Sequence, residues 1–83
     1  MLEADLVREA KHLAASEALS VLLDRLVEDQ VATIMSSPPD QPATREEAFR
    51  MIRAVHALRD KISSVAQSDD VTAWNRRLRG KQV

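Results

Sequence analysis

Few side chains in this sequence are suited to covalent or acid–base chemistry, and their spacing does not gather them. His12 and His56 are the only histidines. His56 precedes Asp60 by four residues, which on a helix lets the two touch. Such a pair is commoner as a surface hydrogen bond than as a working acid–base couple. Neither histidine has a second ligand-type residue at metal-binding spacing, and no HExxH or acidic calcium loop occurs. Ser36 and Ser37 stand before Pro38 and Pro39 with no histidine close in sequence, so they read as turn residues rather than nucleophiles. With one glycine, Gly80, no phosphate-cradling loop can form. Catalytic, metal and cofactor sites are therefore all expected to be absent, and the chain is expected not to be an enzyme or to bind a small-molecule substrate.

Two groups near the C-terminus carry a different kind of chemistry. Arg76, Arg77, Arg79 and Lys81 could neutralise nucleic-acid phosphates, with salt-sensitive binding as the consequence. The plainer account is a solvated basic cluster that ends a helix and complements its dipole. That account is preferred, because no second basic helix accompanies the cluster and Trp74 is the only aromatic beside it. Trp74 itself, with Val71 and Leu78, makes a short apolar stripe. It either folds back over the rest of the chain or inserts into a neighbouring molecule, tryptophan being a frequent interface anchor.

The elements that position these groups follow from composition and periodicity. The chain has 83 residues, enough for one domain with a thin core, and 45% of them are hydrophobic against 30% charged, which argues for folding rather than disorder. The three prolines fall in one stretch, at 38, 39 and 42, leaving two long uninterrupted segments. Phe49 and Trp74 are the only aromatics, and Ala, Leu, Arg and Glu dominate, so the expected class is all-α. No cysteine is present, so disulfides and thiolate chemistry play no part. Apolar runs too short to span a bilayer and a start without the order of a signal peptide lead to the expectation of no membrane partner and a place in a reducing cytoplasm, or in something larger assembled there.

Residues 44–67 give the firmest pattern. Ala48, Met51, Val55, Leu58, Ile62 and Val65 recur at alternating steps of three and four, the spacing of a helix packed lengthwise on another. Arg45, Arg53, Arg59 and Asp60 fall off that stripe, Phe49 sits beside it as expected core, and Thr44 with Glu47 reads as a capping box. Residues 17–35 carry a broader stripe of Leu19, Leu22, Leu23, Leu26, Val27, Val31 and Ile34, wider than one partner helix can cover. Serines 36 and 37 should end that helix, and the short SSPPDQPAT stretch should return the chain antiparallel.

The predicted architecture is an antiparallel helical hairpin, about 17–35 and 44–67, with a shorter helix at each end, all in one domain of residues 1–83. The N-terminal helix covers about 2–15, along a Leu2, Leu6, Ala10, Leu13 stripe. Its apolar face slips out of phase near Glu17, which Ser16 as a cap would explain. A second slip after Val65, with Ser68-Asp69-Asp70 as a cap signal, places a short helix at about 69–79 within a basic tail of 69–83. Residues 1–35 hold three basic and seven acidic side chains, whereas 36–67 hold five and four. An acidic arm beside a basic one suits antiparallel pairing, chiefly through register.

The LLDRLVEDQVATIMSSPPDQPATREEAFRMIRAVHALRDKISSV segment resembles small helical-hairpin proteins encoded among the head, portal and packaging genes of tailed bacteriophages and prophages. The features that carry the likeness are the Leu22–Ile34 arm, the proline-bearing SSPPDQPATREE turn and the arm from Ala48 to Val65. The resemblance implies a minor virion or head-assembly component with no catalytic residues. A core this thin cannot readily offset chain entropy, so self-association or packing on other assembly proteins is expected. Leu19, Leu22, Leu23, Val71, Trp74 and Leu78 are the candidate interface residues. Two alternatives stay open: a small-terminase-like packaging accessory that binds nucleic acid through Arg76–Lys81, or a small phage-encoded inhibitor of a host protein, for which the acidic residues Glu3, Asp5, Glu9 and Glu17 would suit.

Overall fold

The computed structural model describes residues 1–68 and Arg76. Among these the protein is all-helical: α1 spans Glu3–Ala14, α2 spans Glu17–Ser36 and α3 spans Pro42–Ala66, with no strand. The terminal helix expected at 69–79 lies outside the described residues. The chain divides into two compact units, one of Met1–Ala15 with Lys61–Val83 and one of Ser16–Asp60.

In the first unit α1 begins without a side-chain cap at Leu2. Glu3 and Asp5 in its first turn and Lys11 and His12 in its last complement the helix dipole instead. Arg8 reaches back to the Asp5 carboxylate at 2.6 Å, an exposed pair worth a few tenths of a kcal/mol. The unit buries Val7, Ala10 and Ala66, with Ile62 and Val65 half-buried. This corrects the expected α1 stripe: only Ala10 of it is buried, and Leu2, Leu6 and Leu13 are exposed. The buried face is centred between Val7 and Ala10, where smaller side chains allow a closer approach than the leucines would.

The phase slip after α1 proves to be a full break. The helix stops at Ala14, and Ser16 takes an extended conformation in which its Oγ accepts the Leu19 backbone N–H at 3.1 Å. That hydrogen bond satisfies one of the four orphan donors of α2.

In the second unit α2 ends where the serines predict. Ser37 is its C-cap, its backbone N–H and its Oγ–H both directed at the Ile34 carbonyl, the hydroxyl at 2.9 Å. Helix α3 starts two residues earlier than the capping-box reading has it, at Pro42. Proline suits a first helical position, because its missing N–H would be unsatisfied there and its φ is already helical. Thr44 consequently lies inside the first turn and caps nothing.

The unit's core is Leu23, Ala48 and Val55, with Leu19, Leu26, Val27, Ile34 and Ile52 half-buried. The α3 seam is rotated from the one expected. Ala48, Val55 and Ile62 are shared, but Ile52 and Arg59 flank them in this unit, and Ala66 in the other, while Met51 and Leu58 stay 43% and 49% exposed. Phe49, expected in the core, is 53% exposed, one residue and hence about 100° round the helix from Ala48.

Candidate functional site

The rotated seam draws two arginines towards α2, although composition placed both on the solvent side. Arg45 enters from the first turn of α3 and gathers the end of α2: its guanidinium donates to the Pro38 carbonyl at 2.8 Å, the Ser37 Oγ at 3.3 Å and the Pro39 carbonyl at 3.4 Å. Carbonyls left unpaired beyond a helix C-terminus accept most strongly from a cation. The turn is thus held by a guanidinium fork as well as by proline rings.

Arg59, four turns further along α3, reaches the other end of α2. Its guanidinium donates to the Ser20 carbonyl at 3.0 Å and pairs with the Asp24 carboxylate at 2.5 Å. The arginine side chain is 32% exposed and the aspartate 59%, so solvent screens much of the attraction. Arg59 Nε is buried without a hydrogen-bond partner among the described residues, which sets a cost against the two bonds that the terminal nitrogen makes. Arg59→Leu should therefore lose only about 1 kcal/mol, as the stem packing is kept and the orphaned nitrogen is removed. Thermal denaturation followed by circular dichroism should show a fall of about 4–8 °C. An unchanged midpoint would mean that the pair contributes nothing beyond geometry.

The residues first considered for chemistry do not converge. His56 and Asp60 are both exposed, and among the described residues no hydrogen bond joins them. His12 lies 3.9 Å from the Glu9 carboxylate across an exposed face of α1. A shallow, open hollow on that helix is lined by Ala4, Val7, Arg8, Lys11 and His12. Ser36 donates to the Thr33 carbonyl and Ser37 to that of Ile34, both in the service of the helix end. Among the described residues no group of three His, Asp or Glu could hold a metal ion, and no helix is long and apolar enough to cross a membrane.

The candidate interface residues separate. Leu22 is 60% exposed and Leu19 half-buried, both on α2. Leu23, grouped with them from sequence, is buried in the unit's core, because a stripe this wide turns its central residue directly onto α3. Val71, Trp74 and Leu78 lie outside the described residues, as do Arg77, Arg79 and Lys81. Arg76 is helical and exposed. Sequence reasoning missed Met51 and Leu58 as surface residues. Their signal was present in the seam, which could be drawn through Ile52 and Arg59 equally well once an arginine was allowed to lie along it.

What remains as a site is therefore a surface of apolar side chains rather than a cleft. Val21, Leu22, Val31 and Met35 on α2 and Phe49, Met51 and Leu58 on α3 are each at least 40% exposed. No family model, curated protein or solved structure matches this chain.

Proposed function

We propose that this protein is a non-catalytic structural or adaptor component that works through helix-to-helix contacts with other protein chains. The observation that carries the proposal is the exposed apolar surface of the second unit, set against a core of only Leu23, Ala48 and Val55. In this reading α2 and the first part of α3 form an antiparallel hairpin with α1 as a shorter end helix. Arg45 and Arg59 fasten the two ends of α2 and keep the pair rigid enough to present a fixed face. A rigid face costs less ordering entropy on association than a mobile one.

The resemblance to phage head, portal and packaging hairpins supports placing that role in a tailed-phage particle or its assembly, in the virion or the host cytoplasm. The partners are further copies of the chain or other assembly proteins. Trp74, with Val71 and Leu78, serves in this reading as an anchor on a neighbour. Replacing Trp74 and Leu78 together by alanine should weaken assembly at least tenfold while leaving helicity unchanged, since large aromatic anchors commonly carry about 2 kcal/mol or more of an interface. Native mass spectrometry of the full chain at low micromolar concentration, beside circular dichroism, measures both. A wild-type chain that stays monomeric and joins no partner would defeat the adaptor role; unchanged assembly in the double variant would defeat only the anchor.

Nucleic-acid binding through the Arg76–Lys81 cluster is the second reading, favoured by the exposure of Arg76. It requires micromolar or tighter DNA binding that falls steeply with salt.

A further inference from the structure

We draw no further inference here: the strongest candidate, the surface patch of α2 and α3 on which Leu22, Met51 and Leu58 stand exposed, carries nothing because nothing in the structure shows what covers it.

Discussion

Val55→Asp should abolish the cooperative unfolding transition of the chain. Val55 is 4% exposed at the middle of the α3 seam, between Ala48 two turns before it and Ile62 two turns after it. A carboxylate there has no described cation on its own face except Arg59, one turn away and already committed to the Ser20 carbonyl and to Asp24. Burial would force the group to take up a proton or to drag water into the seam, and either costs several kcal/mol. Loss of the valine's own burial adds about 1.5–3 kcal/mol. A domain of this size has little more than that to lose. Far-ultraviolet circular dichroism at pH 7 should show most of the helical signal gone, with partial recovery towards pH 4 as the carboxyl protonates. Val55→Ala, which removes volume without charge, should retain the fold at a cost of about 1–3 kcal/mol. A V55D chain that melted within a few degrees of wild type would mean that the seam is open to solvent, and the packing described for the second unit would be wrong.

The residues that made the fold legible were those whose constraint is local. Ser16 with its phase slip, the Ser36–Ser37 stop and the proline stretch act through their own backbone, and each placed a helix boundary within about two residues. Thr44 misled because two signals competed: a capping box and a proline two residues earlier can each begin a helix, and the proline prevailed. The facing of α3 was only half legible. A stripe stepping by three and four through Ala48, Val55 and Ile62 can be completed by Met51 and Leu58 or by Ile52 and Arg59. Counting apolar residues favours the former.

What decides it is tertiary. Ser20 offers a carbonyl and Asp24 a carboxylate at the height of Arg59, and a guanidinium on a long apolar stem can use both from within a seam. No spacing rule within α3 contains that information, since the partners lie 39 and 35 residues away. The surface set inherited the same error. Once Arg59 turns inward, Leu58 turns outward, and a side chain assigned to the core becomes part of the exposed face.

Ala48→Leu tests the closeness of that packing from the opposite direction and should destabilise the chain by about 2–3 kcal/mol, lowering the melting temperature by about 10 °C or more. Leucine is nearly alanine's equal as a helix former and is the more hydrophobic residue, so on propensity and burial alone the change would be neutral or stabilising. Steric fit opposes this. Ala48 is the most deeply buried residue among those described, at 2% exposure, and a methyl group is all that its place on α3 admits. Three further carbons must push α3 away from α2, and the first bonds to suffer are the short-range ones one turn along, from Arg45 to the Pro38 carbonyl and the Ser37 hydroxyl. The two effects can be separated in one measurement series. Overpacking predicts that Ala48→Leu and Arg45→Ala are less than additive, because the leucine has already loosened the turn that Arg45 holds. Independent effects predict simple addition. A stabilising Ala48→Leu would show that the helices stand further apart than Arg45 and Arg59 imply, and the face offered by Leu22 and Leu58 would then not be a fixed one.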